Sequence, residues 1–472
     1  VTDLPYLSAT EALRLFRSRA LSPVDLMTAV VERAEAVEPR VNALSERTFE
    51  EAVRQARQAE RAYLPGGSPR PLEGLPVAAK DEHPIAGRLA TDGSLACLDE
   101  VAEATHPVVE RILSAGGIVH ARTTTPEFCC AAFTHSRLWG VTRNPWNLDY
   151  SPGGSSGGSG AALASGTATL ATGSDIGGSI RLPAACTGTV GYKPPYGRVP
   201  AMPPFNLDHY CHDGPMARTV ADCALLQNVL VGPHPHDVVS LRPAVRIPDR
   251  LGGVAGTRVA YAPNLGDWEI EPDVAANTAA VAEALRQAGA IVEQVEVGLR
   301  RADVMRAAFI HFGSIFGPSV ARVAAEHGDS LTRYALAFAE ETRTAAERHG
   351  GFLAGLELEA AIYRPIGELL DRYDVLICPT AGTPALRAGE DYLDTRLTVN
   401  GVELGHYMEH SLTTVFNVAS RCPVLNVPSG RGSDGVPTGV QIVGRAYDDA
   451  TVFRAGAAVE RVRPWAHRPE SL

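Results

Sequence analysis

The chain has 472 residues, 45% of them hydrophobic and 21% charged, and carries a formal net charge of −11. A composition of this kind excludes a disordered, collagenous or disulfide-stapled chain and suffices for a large buried core. The acidic balance repels phosphate backbones and sets nucleic acid aside as a partner.

Val1 to Pro5 shows neither the basic start nor the apolar run of a signal peptide. No run of about eighteen apolar residues follows, so neither secretion nor a membrane is expected. Ser22-Pro23 reads as an N-cap with proline at the first helical position, and Leu26, Val30, Val31, Ala34 and Val37 then recur at helical spacing. A second, polar helix is predicted over 48–63, stopped by Leu64-Pro65-Gly66-Gly67. Residues 1–65 are therefore read as a helical segment packed on a main domain spanning 66–472, the whole making one compact unit.

After residue 66 short apolar runs alternate with helices. Strands are predicted over 76–80, 117–120 and 168–172, with helices over 108–115 and ending at 161–165. Residues 258–261, 272–288 and 290–297 read as strand, helix, strand, and 374–378 as a further strand. The Pro-rich stretch 233–248 is a loop or linker. Residues 300–365 are mostly helical, with several aromatics, and suit a lid or one wall of a pocket. Such alternation predicts an α/β fold with helices on both faces of a sheet. The cysteines, from Cys97 to Cys422, form no C-x-x-C pair and read as free thiols in a reducing cytoplasm.

Two segments carry the chemistry: Ser151-Pro152-Gly153-Gly154-Ser155-Ser156-Gly157-Gly158-Ser159-Gly160, and Gly173-Ser174-Asp175-Ile176-Gly177-Gly178-Ser179-Ile180-Arg181. Glycines let backbone N–H groups approach a reacting atom, and serines place hydroxyls beside them. A flexible linker fits poorly, because apolar patterns begin at once on either side. A phosphate loop requires a lysine after the glycines, and none stands there. Gly153-Gly154-Ser155-Ser156-Gly157 matches the nucleophile elbow of α/β-hydrolases. That motif needs a preceding strand, which the Pro- and Asn-containing residues 144–152 do not supply.

A fourth reading joins both segments. With Gly74-Leu75-Pro76-Val77-Ala78-Ala79-Lys80-Asp81, Gly191-Tyr192-Lys193-Pro194, Cys378-Pro379-Thr380 and Gly439-Val440-Gln441, they resemble the amidase signature family over roughly residues 5–460. The resemblance implies a single α/β/α domain with a large mixed β-sheet covered by helices. It implies an amidase in which Ser179 is the nucleophile, Ser155 the proton relay, held after a cis peptide bond, and Lys80 the base. The backbone N–H groups of Ile176, Gly177, Gly178 and Ser179 would form an oxyanion hole. Cys129, Cys130 and Phe133 fall along the acyl pocket. The aromatics Phe205, Tyr210, Phe309, Phe312 and Phe316 are further candidates for its lining, which points to an aryl or alkyl carboxamide.

These residue types suit that chemistry. A serine hydroxyl attacks only once a base takes its proton. A lysine serves as base when neutral, and burial in the apolar Val77-Ala78-Ala79 context is expected to bring its pKa towards roughly 7–8. Asp175 and Arg181 flank the nucleophile and are expected to orient its loop through hydrogen bonds or a salt bridge. His209, Cys211, His212 and Asp213 cluster in sequence, but the family is metal-free, so neither a metal nor a cofactor is expected. The partner is a small-molecule carboxamide, with a homodimer as the expected assembly. Several positions depart from the family's common forms: Glu82-His83 where Asn is frequent, Cys129 for Gly, Tyr192 for Leu. Two other readings stay open. One is the amidotransferring A-type chain of a glutamine amidotransferase, in which the position of Leu182 is usually Gln. The other is a non-catalytic binding protein on the same fold.

Overall fold

Strands Pro76–Lys80 and Val375–Pro379 are buried at every position. Strands with both faces covered by helices show continuous apolar runs rather than alternation, which is why they are visible in the sequence as short unbroken segments. The computed structural model describes residues 3–470 and 472, so residues 1, 2 and 471 of the two spans assigned above lie outside the described residues.

An 11-stranded sheet organises the chain. Its strands are β1 (Leu44–Arg47), β2 (Pro76–Lys80), β3 (Ile118–Thr123), β4 (Leu170–Asp175), β5 (Val190–Lys193), β6 (His212–Ala217), β7 (Arg258–Tyr261), β8 (Ile291–Gln294), β9 (Val375–Pro379), β10 (Val424–Arg431) and β11 (Pro437–Gly444). Their spatial order is β1-β3-β2-β4-β6-β5-β10-β11-β9-β7-β8. Pairings β3–β2, β2–β4, β9–β7 and β7–β8 are parallel, and the remainder antiparallel. The fold is a single α/β domain with a large mixed sheet covered by helices, as expected.

The N-terminal segment begins with α1 (Ala9–Ser18), α2 (Pro23–Val41) and α3 (Phe49–Glu60). Ser22 caps α2 as the Ser22-Pro23 signal predicts, and it does so in a capping box with Asp25. Between α2 and α3 lies β1, an edge strand paired with β3, where the sequence predicted helices alone. Leu-Ser-Glu-Arg has one apolar residue and gives no alternation to read. The α1 N-terminus docks on Asp222, whose carboxylate accepts the Ala9 and Thr10 N–H groups and the Thr10 hydroxyl, each at 2.9 Å.

Residues 300–365 fold as expected into helices: Arg301–Ser314, Gly317–His327, Arg333–Arg348 and Gly351–Arg372. They form an excursion between β8 and β9, and Phe312, Phe338, Tyr334 and Ala335 pack against Phe128, Cys130 and Phe133. The excursion thus serves as a wall. Among the described residues no helix is long and apolar enough to cross a membrane. Asp222→Ala should strip three donors at the α1 N-terminus of their acceptor and cost about 1–3 kcal/mol, read as a lowered denaturant midpoint with an unchanged m-value.

Candidate active site

Lys80 ends β2, Ser174 and Asp175 end the adjacent strand β4, and the turn after β4 carries Ser179 into the helix Arg181–Thr187. Ser155 lies in the loop before the helix Gly157–Ser165, and its peptide bond to Gly154 is cis. Glycine is required at 154 because a Cβ would sit 2.4 Å from the Phe133 carbonyl oxygen. Parallel neighbours β2 and β4 bring residues 80 and 174 together although they are far apart in sequence.

Lys80 is fully buried. Its Nζ donates to Ser155 Oγ at 2.8 Å and Ser174 Oγ at 2.7 Å, and pairs with Glu82 Oε2 at 2.9 Å. Ser174 in turn donates to Glu82. Ser179 joins this group through its backbone: its carbonyl accepts the Ser156 N–H at 3.1 Å. Its Oγ has no hydrogen-bond partner among the described residues, so the structure forms the Lys80–Ser155 contact but no side-chain bond between Ser155 and Ser179.

Glu82 overturns the expectation of a neutral lysine. Burial opposes the Lys80 charge, but negative charge at Cys129 and Glu82 outweighs it, and the ammonium is held above the ordinary lysine value. Glu82 decides the balance, because burial pushes the Cys129 thiol well above the range in which it ionises. The half-exposed Glu82 is itself lowered to about 2: burial opposes its charge, but Lys80 and His83 beside it prevail. The apolar run before Lys80 was legible in the sequence. The carboxylate two residues later was legible too, as a departure from the family's Asn, but its direction was not.

Asp175 shapes the turn that carries Ser179. Its carboxylate accepts Gly178 N–H at 2.9 Å and Ile180 N–H at 3.2 Å, and Arg181 binds it through Nη2 at 2.8 Å and Nε at 3.0 Å. Burial raises its pKa, but Arg181 outweighs that and holds it well below the carboxylate range. Gly177 O accepts the hydroxyls of Thr413 at 2.6 Å and Thr414 at 3.0 Å, fixing the next peptide unit. Gly178, at φ +127°, admits no side chain, since a Cβ would lie 1.9 Å from Thr413 Oγ1. The expected set of four N–H donors is thereby corrected. Gly178 N–H is already committed to Asp175, leaving those of Ile176, Gly177 and Ser179 without an acceptor among the described residues.

Two cavities meet here. A narrow apolar slot of about 50 Å³ is lined by Gly154, Ile176, Gly177, Gly178 and Ser179, with Cys129, Cys130, Leu182, Phe312, Phe316, Phe338 and Met408. A chamber of about 420 Å³ is lined by Glu82, Ser155 and Ser174, with residues such as Asp92, Phe128, His106, Met202, Phe205 and Asp213. Cys129, Ile176 and Phe316 belong to both. Cys129 and Cys130, expected along the acyl pocket, line the slot. Phe133, expected there too, is fully buried, stacked 4.5 Å from His135, and borders neither cavity. Of the other aromatics, Phe312 and Phe316 line the slot, and Phe205 and Phe316 the chamber. Leu182 and Met408 carried no sequence signal as pocket residues, and Phe338 only that of the aromatic-bearing helical stretch 300–365.

Metal ligation fits poorly. His83, His106 and Asp213 converge, as do Asp208, His209 and His311, which splits the sequence cluster His209–Asp213 between two places. His106 Nδ1 accepts the Val108 N–H, so the neutral ring carries its proton on Nε2, the nitrogen 3.5 Å from Asp213. Metal-bound histidines have the opposite arrangement, with the free nitrogen donating. In the other cluster His311 lies 2.7 Å from Asp208 and 3.5 Å from Glu359 and is raised to about 9, because these carboxylates overcome its burial. A protonated imidazole has no lone pair for a metal.

The model of the Amidase family matches residues 25–453. Over 481 residues the chain is 33% identical to an acylamidase of Rhodococcus erythropolis, covering 99% of this chain and 97% of that protein. It is 33% identical over 485 residues to a putative amidase, AmiB2, of Mycobacterium tuberculosis, covering 100% and 99%. It is also 32% identical over 502 residues to the A-type chain of the glutamyl-tRNA(Gln) amidotransferase of Chloroflexus aggregans, covering 100% and 99%. Among solved structures, a bacterial aryl acylamidase of the amidase signature enzymes superposes with a TM-score of 0.90 at 29% identity, over 98% of this chain and 97% of that one. A 6-aminohexanoate cyclic dimer hydrolase, solved with its substrate, gives 0.85 at 28% identity over 99% of each.

Replacing Glu82 by Gln should lower the Lys80 pKa from above the ordinary lysine value to below it, because burial is then the largest remaining influence. The pH dependence of the Lys80 ¹³Cε resonance checks this, and an unmoved titration refutes it. Asp175→Ala leaves the Arg181 charge buried and uncompensated and should cost about 3–5 kcal/mol of stability, measured by denaturant unfolding.

Proposed function

The chain belongs to the amidase signature family and is an amide-hydrolysing enzyme, and on that premise we propose that Ser179 is the nucleophile of an acyl-enzyme mechanism with Ser155 as relay and Lys80 as base. The observation that carries this reading is the 2.8 Å contact between Lys80 Nζ and Ser155 Oγ, in a buried corner that also holds the turn of Ser179. Ser179 Oγ attacks the carboxamide carbon as its proton passes to Ser155, whose own proton passes to Lys80 Nζ. The developing oxyanion is met by the uncommitted N–H groups of Ile176, Gly177 and Ser179, each such donor being worth about 10²–10³ in turnover. The proton returns through Ser155 to the leaving nitrogen, and water then repeats the sequence on the acyl-enzyme. Proton transfer and nucleophilic attack need no cofactor.

Lys80 has to shed a proton before the relay can run. The resting ammonium donates to Ser155, the reverse of what attack requires. Because the inactive form is the protonated one and the Lys80 pKa is raised, activity is gained as pH rises and lost as pH falls.

The acylamidase and aryl acylamidase relatives support hydrolysis of acylamides as the reaction of this chain. The amidotransferase chain, matched nearly as well, stands for release of ammonia from glutamine on behalf of a partner. The slot argues against it: none of the side chains that line it is charged, so the α-ammonium and α-carboxylate of a glutamine would find no ionic partner there.

Ser179→Ala should reduce kcat by at least about 10⁴-fold, and Lys80→Met and Ser155→Ala by about 10²–10⁴-fold each. A carboxamide panel with the purified chain measures this. Fluorophosphonate should label Ser179 in the wild type. An unlabelled, inactive chain would instead be a binding protein. For the wild type, kcat/KM should climb from neutral into alkaline pH, and Glu82→Gln should shift the acidic limb downward, because the carboxylate that holds the Lys80 pKa up is removed.

A further inference from the structure

We infer that a third cavity, between the β10–β11 hairpin and the C-terminal passage, is a binding site for an aromatic carboxylate. It measures about 310 Å³, and Trp146, Arg431, Pro437, Arg463 and Trp465 are among its lining residues. It shares no lining residue with the slot or the chamber. The site is independent of the acyl-enzyme reading.

The hairpin sets one of its two cations. β10 shifts register between Pro428 and Gly430, after which Gly430 pairs with Thr438 and Arg431 with Pro437. Successive side chains on a strand point to opposite faces. The first pair meets Asn277: its side chain donates to Thr438 Oγ1 at 3.0 Å, and a Cβ at Gly430 would lie 2.2 Å from its Oδ1. The second pair therefore turns the other way, to the face on which the cavity lies. The chain leaving the last helix, Asp449–Val462, supplies Arg463 and Trp465.

Neither guanidinium is neutralised. Arg463 Nε donates to the Ser429 carbonyl at 3.1 Å, and its Nη groups meet no acceptor among the described residues. The Arg431 guanidinium lies over the Trp146 ring, 4.2 Å from its centre. Glu470 is 3.8 Å from Arg431, beyond hydrogen-bond distance, and 89% exposed, and a pair of that kind contributes little. No carboxylate lines the cavity. A guanidinium whose face rests on an indole keeps its edge N–H groups for a planar acceptor, which a carboxylate meets with two parallel bonds. Two cations beside one cavity thus select an anion.

The aromatic part of the ligand follows from the other walls. Trp146 Nε1 donates to the Thr187 carbonyl at 2.7 Å, and Trp465 Nε1 to the Arg218 carbonyl at 3.1 Å. Both indole N–H groups are committed to backbone, which fixes the rings and leaves the cavity their carbon surface. Pro428 and Pro437 add apolar surface to it. Such walls favour a flat ring over a hydrated inorganic ion. Small-molecule sites span roughly 300–1,000 Å³, and a volume at the lower end suits a single ring bearing its acid group.

Benzoate tests the inference, by titration calorimetry and by tryptophan emission, since two of the four tryptophans line the cavity. Benzoate should bind and change the emission, and acetate, benzamide and inorganic phosphate should bind at least about 10-fold more weakly. Arg463→Gln, and independently Arg431→Gln, should weaken benzoate about 10-fold or more, the usual effect of losing a charge-assisted hydrogen bond. An acid of this class can also enter the slot, so the titration is repeated after fluorophosphonate treatment, which should leave the signal in place. A signal that the treatment removes entirely, or that both variants keep at full strength, overturns the inference. Acetate or phosphate bound as tightly as benzoate overturns it too, because the aromatic walls then contribute nothing. So does benzoate that gives neither heat nor an emission change at any soluble concentration.

Discussion

The buried pair of Asp175 and Arg181 is the contact on which the site depends. Both side chains are fully buried, and a charge pair in such a place is tolerable only when every remaining donor and acceptor is met. They are met: Arg181 also donates to the Thr413 carbonyl, Gln441 and Asn417, each at 2.7 Å. One guanidinium thereby fastens the end of β4, the turn after it, the segment from Thr413 to Asn417 and β11 to a single point. The same carboxylate takes up Gly178 N–H and so decides which N–H groups of the turn remain for a ligand.

A second charge pair, Lys80 with Glu82, works differently. It is exposed on the Glu82 side, and it stands beside hydroxyls rather than amide groups. Asp175 with Arg181 is locked and structural, whereas Lys80 with Glu82 is a balance between burial and attraction that a single carboxylate tips. The catalytic reading requires that balance to be reversible. The two pairs sit at the ends of neighbouring strands, so a rigid device and an adjustable one are held in fixed relation by the sheet.

Much of this was legible in the sequence. The unbroken apolar runs at 76–80 and 374–378 gave strands because a strand covered on both sides has no polar face to interrupt it. The N-cap signal Ser22-Pro23 gave α2 its start. The ordered glycines and serines pointed to the turn of Ser179 and to Ser155, because only backbone crowding explains so many glycines in one place. What failed to show was tertiary. Phe133 and Phe312 look alike as letters, yet one is sealed behind the site and the other faces the slot, a difference set by packing alone. β1 stayed hidden because an edge strand with polar residues carries no period. The charge of Lys80 stayed hidden because its apolar neighbours in sequence are not its neighbours in space at Nζ.

The helical wall is one uninterrupted stretch of chain leaving the sheet after β8 and re-entering it at β9, whereas the polar groups of the reaction centre come from the ends of β2 and β4 and the loops beside them. Phe312, Phe316 and Phe338, which form one side of the slot, are thus encoded in a passage separate from that of the proton-handling groups. A lineage can redraw the shape of what it accepts by substituting, lengthening or exchanging that passage while the proton-handling apparatus is inherited untouched. An engineer can graft it as a cassette for the same reason.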